Sequence, residues 1–200
     1  MRRSLDRRER KRTRTRLMIQ AEAFRLFAER GYTETTVEQV ADAAAISPRT
    51  FFRYFPTKED VVLWDEYDPL ALELLESRPA DEPPAESMRA IIRQTLTGLL
   101  QRDREQLLAR IRLMRSVPEL RARFLDMQAS GHEMLAELFA EHRGLAVTDV
   151  LELRVTAGAL VAAVTIALDE WQRDDGKSDL LTLVDDAFEA LAAGARGLRP

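Results

Sequence analysis

Residues 26–62 read LFAERGYTETTVEQVADAAAISPRTFFRYFPTKEDVV, and this stretch decides the fold. Thr36 followed three residues later by Gln39 is the capping-box pattern that begins a helix. Ser47 before Pro48 is a second start signal, an N-cap residue and then a proline at the first helical position. Two short helices are therefore predicted here. They span about residues 37–44 and 48–55.

The connection between these two helices is only about three residues long, which is typical of a helix-turn-helix unit whose second helix enters the DNA major groove. A preceding helix is predicted over about 12–30, because its apolar residues recur with the spacing of one helix face and Gly31 supplies a stop. The three helices are expected to share a small core. Its predicted members are Ile19, Ala23, Phe27, Val37, Val40, Ala41, Ile46 and Phe51.

The charge is divided unevenly along the chain. Residues 1–58 carry 14 Lys and Arg against 7 Asp and Glu, whereas residues 59–200 carry 16 against 27. A basic module that meets a polyanion, joined to an acidic module with another task, would have this distribution. The partner predicted for the basic module is double-stranded DNA.

Several features at fixed spacing make the pattern specific: LFAERGY ends the first helix, TTVEQVA opens the second, and polar and aromatic positions follow in the third. Together they closely resemble the N-terminal DNA-binding domain of the TetR family of bacterial transcriptional regulators, over about residues 12–62. The resemblance implies that the recognition helix places Arg49 and Thr50 near base edges and that Ser47 caps this helix. It also implies phosphate contacts from Thr36, Tyr54 and Lys58.

The chain departs from the family pattern at two positions. Ala45 stands in the turn where the family commonly has glycine, and Phe52 stands where many members have a tyrosine that reaches the DNA backbone. Because Phe52 cannot donate a hydrogen bond, its ring either touches a thymine methyl group or packs inward. The complete predicted DNA-binding set is Arg12, Arg14, Thr36, Ser47, Arg49, Thr50, Phe52, Arg53, Tyr54 and Lys58.

The N-terminal residues 1–11 are predicted to be a disordered basic arm. In one interpretation the arginines from this arm through Arg16 follow or enter the adjacent minor groove and become ordered when DNA arrives. In the other they form a disordered tail that DNA attracts without specificity. The sequence leaves both interpretations open.

Helical periodicity dominates the remaining chain, so the predicted fold class is all-α. The plan is an N-terminal three-helix DNA-binding domain over 12–58 and a C-terminal helical ligand-binding and dimerisation domain over 59–200. Asp68-Pro69 is expected to kink or break the fourth helix, and residues 78–87 are expected to be a linker. Later helices are predicted at about 86–102, 104–116, 118–142, 148–173 and 178–195.

A single recognition helix reads few base pairs, so a homodimer on a palindromic operator is expected. The last two helices are the predicted dimer surface, since their small residues allow close approach; the alternative is that these residues form the core of one subunit. The predicted interface residues are Ala157, Leu160, Val164, Leu168, Trp171, Leu181, Val184 and Phe188.

The middle helices are expected to enclose a small-molecule effector that is hydrophobic or amphipathic, with Arg93, Arg112 or Arg115 available for an acidic head group. Candidate ligand-binding residues are Met88, Ile92, Leu96, Met114, Phe124 and Met127, and the alternative for most of them is an ordinary place in the helical core. The predicted function is a repressor that this effector releases from its operator. The alternative is a DNA-binding scaffold or activator without a small-molecule ligand.

Other classes of function are not supported by the sequence. The chain has no cysteine and only two histidines, so no metal or cofactor site is predicted, and no serine elbow or phosphate-cradling glycine loop indicates an enzyme. The apolar stretch 156–168 is shorter than the ~20 residues that cross a bilayer and is interpreted as a buried helix. A cytoplasmic protein without a membrane partner is expected.

Overall fold

The structure is a computed structural model that describes residues 2–64, 68–144 and 151–194. Within these ranges all regular secondary structure is helical, which confirms the all-α class. The helices are α1 (Arg2–Arg30), α2 (Val37–Ala43), α3 (Pro48–Tyr54), α4 (Lys58–Leu63), α5 (Asp68–Glu76), α6 (Pro84–Ser116), α7 (Pro118–His142), α8 (Leu151–Arg173) and α9 (Leu180–Ala193).

The chain divides into two compact units: Met1–Glu66 with Arg112–Ala122, and Tyr67–Ile111 with Arg123–Pro200. The boundary predicted after residue 58 therefore lies too early, because α4 belongs to the first unit. The side-chain amide of Gln20 in α1 donates to the Val61 and Trp64 carbonyls at 2.8 and 3.1 Å. Val61 and Val62 are also fully buried. These contacts fix α4 to α1.

Helix α1 begins at Arg2, so the structure contradicts the predicted disordered arm over residues 1–11. No glycine or proline interrupts residues 2–30, and Glu9 lies among the basic residues, which lowers their mutual repulsion. The helix that packs in the core at Ile19 and Ala23 can thus continue outward without a break.

Helices α2 and α3 begin where the capping signals predict. Thr36 and Gln39 form the expected reciprocal capping box, and the Ser47 side chain accepts a hydrogen bond from the Thr50 amide. The turn between the helices places Ala45 at φ 52, a left-handed conformation that favours glycine. Most of the predicted core is buried, although Val37 and Ile46 remain partly exposed.

Helix α6 joins the two helices predicted over 86–102 and 104–116, with a kink at Asp103 (φ −158°, ψ 77°). The Asp103 carboxylate accepts from the Gln106 amide at 2.9 Å, so it caps the second half of the helix. The predicted linker is also shorter than expected, because α6 already begins at Pro84. Buried Ser87 in its first turn donates to Glu82 at 2.6 Å.

The second unit has its core where α8 packs on α9. Trp171 is fully buried, and its indole N–H donates to the Ser178 carbonyl at 3.1 Å. Gly176 lies against this ring at φ +75, where a Cβ would come within 3.1 Å of Leu108. A separate apolar cluster of buried residues includes Leu75, Ile91, Ala136, Phe139, Ala140, Leu153 and Ala157.

This packing corrects the predicted dimer surface. Five of its residues are buried within one chain, with exposures of 5% or less, and so belong to the core of the unit. They are Ala157, Leu160, Trp171, Val184 and Phe188. Val164, Leu168 and Leu181 are partly buried. Amphipathic spacing identified the buried side of each helix correctly, but that side is buried within the same chain, where α8 packs on α9 and Ala157 joins the apolar cluster.

Arg93, proposed above for an acidic ligand group, is instead an ion-pair partner. Arg93 and Arg89 of α6 both bind the Asp185 carboxylate of α9, with Arg89 at 2.7 Å. Burial opposes ionisation of Asp185, but the hydrogen bonds from the two arginines outweigh it and lower its pKa. The pair thus ties α6 to α9.

Candidate DNA-binding surface

Helix α3 presents three long side chains on one exposed face. Arg49, Phe52 and Arg53 occupy positions i, i+3 and i+4, and all three are exposed. The opposite side is anchored by Phe51 and Phe55, which are 0% and 1% exposed. A helix held this firmly from behind offers its outer face as a preformed reading surface.

Phe52 settles one of the alternatives that the sequence left open. Its side chain is 48% exposed, and its ring meets Phe51 edge-on with centroids 5.6 Å apart. The structure therefore contradicts inward packing. An exposed phenyl ring on this helix can contact the 5-methyl group of thymine. The contact with thymine stays a prediction.

Thr50 and Tyr54 lie at the margins of this face and are half-buried. The Thr50 hydroxyl lies 3.0 Å from that of Ser47, so it is oriented by the N-cap. Tyr54 carries the Arg53 guanidinium over its ring at 5.3 Å. A hydrogen bond with Thr15 is the main cause of a lowered pKa for the Tyr54 phenol, and the nearby charges of Arg53 and Lys11 add to it.

Thr36 has a structural task at the start of α2. Its hydroxyl accepts from the Gln39 amide at 3.3 Å, and the Gln39 side chain accepts from the Thr36 amide at 3.0 Å. The residue remains exposed at the helix N-terminus, where backbone N–H groups favour anions. Its phosphate contact stays a prediction.

Lys58 is held from inside the unit rather than reaching freely into solvent. Its ammonium group donates to the Tyr32 and Thr35 carbonyls at 2.8 and 3.0 Å and lies 4.1 Å from the centre of the Tyr32 ring. The Tyr32 hydroxyl donates to Glu59 at 2.9 Å. Burial opposes ionisation of Glu59, but hydrogen bonds from its own amide, Tyr32 and Thr57 outweigh it and lower its pKa. Lys58 therefore ties α4 to the end of α1, and its predicted phosphate contact would use the remaining N–H.

Lys58→Ala is expected to lower the free energy of unfolding by about 1–3 kcal/mol, because two partly buried carbonyls lose their donor. Chemical denaturation of the whole chain measures this loss. Arg30→Ala, which removes an exposed cation from the same unit, is the matched control and should change stability by less than about 0.5 kcal/mol. Equal stabilities for the two variants would assign Lys58 no structural role.

Arg16, which the sequence grouped with the arginines of the basic arm, packs against two aromatic rings instead. Its guanidinium lies 5.7 Å from the Phe55 ring and 5.5 Å from the Trp64 ring, in cation–π contact with both. Burial, followed by the charge of Arg12, lowers the pKa of Arg16. Arg12 and Arg14, by contrast, are exposed on the same helix. The spacing from Phe55 and Trp64 to Arg16 is long in sequence, so no local pattern could have found this contact.

The candidate ligand residues differ in their surroundings. Leu96 and Met114 are buried at 8% and 7%, whereas Met127 is 43% exposed and so is not enclosed by its own chain. Met88 packs against the apolar cluster around Ile91, and Ile92 and Phe124 are half-buried. Met114 belongs to the DNA-binding unit and the others to the second unit. Their role in ligand binding stays a prediction.

Two regions of the chain match known protein families. Residues 19–63 match the family described as bacterial regulatory proteins, tetR family. Residues 82–196, more than half of the chain, match the MftR C-terminal domain of the same family. The first match covers the helix-turn-helix unit and the second covers most of the remaining helices.

Whole-chain relatives agree with both matches. The transcriptional regulator TcmR of Streptomyces glaucescens is 36% identical, over 92% of this chain and 83% of that protein. The putative mycofactocin biosynthesis regulator MftR of Mycobacterium tuberculosis is 29% identical, over 86% of each. The solved FadR repressor of Thermus thermophilus, in complex with lauroyl-CoA, is 26% identical over 92% of this chain and 97% of that chain, with a TM-score of 0.56. This chain therefore belongs to the TetR family, whose members are DNA-binding transcriptional regulators and not enzymes.

Proposed function

We propose that the protein is a homodimeric repressor that binds a palindromic operator in the cytoplasm and is released by an amphipathic small molecule. The observation that carries the proposal is the exposed face of Arg49, Phe52 and Arg53 on a helix whose back is buried. Arginine can bond a guanine edge at two points, and a phenyl ring suits a thymine methyl group. The face thus has the chemistry to read a mixed half-site.

One of the relatives supports an acyl thioester as the effector class. The Thermus thermophilus relative is a repressor solved with lauroyl-CoA, a molecule with an apolar tail and a polyanionic head. In this chain, α6 supplies apolar side chains that match such a tail, among them Ile92 and buried Leu96. The paired Arg89 and Arg93 are held by Asp185, so the head group would need other cations.

Release would occur by population shift. A ligand changes DNA binding only if it binds the conformation with mis-spaced recognition helices more tightly than the DNA-competent one. The chain provides three covalent routes for this coupling: the segment after α4, and helices α6 and α7, whose residues 112–122 belong to the DNA-binding unit while the rest of both helices belongs to the other unit. This makes the corner between α6 and α7 a candidate lever in addition to α4.

Lauroyl-CoA is expected to weaken operator binding at least tenfold, while free coenzyme A and free laurate have little effect, because only the thioester joins tail and head group. The operator is first obtained by mapping bound sites across the genome, and affinity is then measured by fluorescence anisotropy. Leu96→Arg, which places a cation among apolar residues, should reduce the response, whereas Leu72→Arg at an exposed α5 position should preserve it.

The variants must retain the helical circular dichroism spectrum and operator binding for this comparison. Specific operator binding that no acyl-CoA alters would reject this effector class. If a panel of other apolar and amphipathic molecules also failed, the protein would be a DNA-binding scaffold or activator without a ligand.

A further inference from the structure

The helical extension of α1 brings cations beside the end of α3. Side chains from both helices line an open cleft of about 300 Å³, which we call the basic cleft. Its lining residues are Arg8, Lys11, Arg12, Arg53 and Tyr54. Residues from two helices more than 40 positions apart in sequence thus meet at one place.

The cleft is built by helix geometry rather than by chance proximity of a flexible tail. Arg8, Lys11 and Arg12 occupy positions i, i+3 and i+4 and so share one face of α1. The next position on that face, Thr15, is hydrogen-bonded to Tyr54. Thr15 also donates to the Lys11 carbonyl at 3.0 Å. The contact between Thr15 and Tyr54 joins the two walls.

The charge of the cleft is uncompensated among the described residues. The ion pairs of the described residues involve cations outside the cleft, and no described carboxylate pairs with Arg8, Lys11, Arg12 or Arg53. Four like charges around one opening repel one another unless an anion enters. The Tyr54 hydroxyl and the guanidinium groups are also the donor types that bind phosphate oxygens.

We propose that the basic cleft binds a phosphate group of the DNA backbone that flanks the base pairs read by α3. This inference rests on the proposed operator binding and adds a contact to it. It also assigns the extension of α1 a different task from threading the minor groove: the extension follows the duplex as a rigid helix. Arg8 and Lys11 are thereby added to the predicted DNA-binding residues, beside Arg12, Arg53 and Tyr54.

The test compares two double variants with equal loss of charge. Arg8→Gln with Lys11→Gln removes two of the four cations of the cleft. Arg25→Gln with Arg30→Gln removes two exposed cations from the same helix, outside the cleft and outside the predicted DNA-binding set. Each protein is titrated with two duplexes at several concentrations of KCl. The short duplex ends at the outermost base pair of the mapped operator, and the long duplex adds flanking pairs on both sides.

On the long duplex we expect the salt dependence of affinity to flatten by about one to two units of log–log slope for the cleft variant, since each lost phosphate contact is worth about one unit. On the short duplex, the cleft variant should match the wild type. The variant of Arg25 and Arg30 should follow the wild type on both. Equal effects of the two double variants would overturn the proposal in favour of a general electrostatic attraction, and so would an unchanged slope for the cleft variant.

Two further arms separate the possible causes. If the wild type binds inorganic phosphate in the absence of DNA, the cleft variant does not, and the two proteins have the same salt slope on the long duplex, the cleft is a site for free anions and the DNA assignment is overturned. A smaller slope for the cleft variant on the long duplex supports the DNA backbone. Loss of specific binding by the wild type itself would instead reject the proposed function, which Arg49 variants test independently of the cleft.

Discussion

Arg49→Ala is expected to cost about 1–3 kcal/mol in operator binding, roughly five- to 150-fold in affinity, and to relax the choice of base at one position of each half-site. The guanidinium is exposed at the front of α3, one turn ahead of Phe52 and Arg53. Loss of a bidentate contact to guanine removes discrimination as well as affinity. A contact to phosphate would remove affinity alone.

Selection of bound sequences from a randomised half-site, followed by titration of operator and random duplexes, measures both quantities. Arg30→Ala is the control, because Arg30 is an exposed cation in the last turn of α1 and lies off the α3 face. Its effect should be small on both duplexes. A loss for Arg49→Ala that is the same on operator and random DNA would reject a base-reading role.

The helix-turn-helix could be predicted from sequence because its signals are local. Thr36, Ser47 and Thr57 each act on backbone amides within three residues, so their meaning does not depend on the rest of the fold. The boundary at Asp103 was predictable for the same reason, since its side chain caps the next helix turn. These interactions are complete within a few residues.

Features that depend on contacts between residues far apart in the sequence could not be predicted from local sequence signals. Lys58 was predicted as a free phosphate contact, but its ammonium group meets carbonyls more than 20 residues away. The arm over residues 1–11 was predicted to be disordered from its charge, although the helix that begins there is anchored by packing further along α1. The signal that could have found the basic cleft was the i, i+3, i+4 spacing of Arg8, Lys11 and Arg12.

The dimer surface shows a different limit of sequence patterns. Periodicity distinguishes a buried face from an exposed one, but α8 is apolar on both. One side packs on α9, while Leu151, Val155 and Ile166 on the other side are 77%, 63% and 57% exposed. Among the residues that the structure describes, α8 is the one helix that is long and apolar enough to cross a membrane, by length and composition only, and 28% of its most apolar window is buried within the chain. Small residues at Gly158 and Ala162 line a groove of about 290 Å³ beside Ile166. An exposed apolar helix face with an open groove is typical of a surface that another molecule contacts.

The proposed function requires a second copy of the chain, because two recognition helices must be held at a fixed distance. We expect this second copy to pack on the exposed apolar face of α8. Ile166→Glu is therefore expected to weaken dimer association by at least a hundredfold. Two-fold symmetry places the substitution in the interface twice, and each carboxylate would be buried without a partner. Sedimentation equilibrium measures the association directly, and operator titration should show a comparable loss of affinity.

Leu72→Glu is the matched control for this experiment, since Leu72 is an exposed leucine, 43% accessible, and the substitution adds the same charge on another helix, α5. It should remain dimeric and bind the operator as the wild type does. Helical circular dichroism establishes that both variants are folded. A dimeric Ile166→Glu protein with unchanged operator affinity would exclude the exposed face of α8 from the interface, and the subunits would then have to associate through another surface.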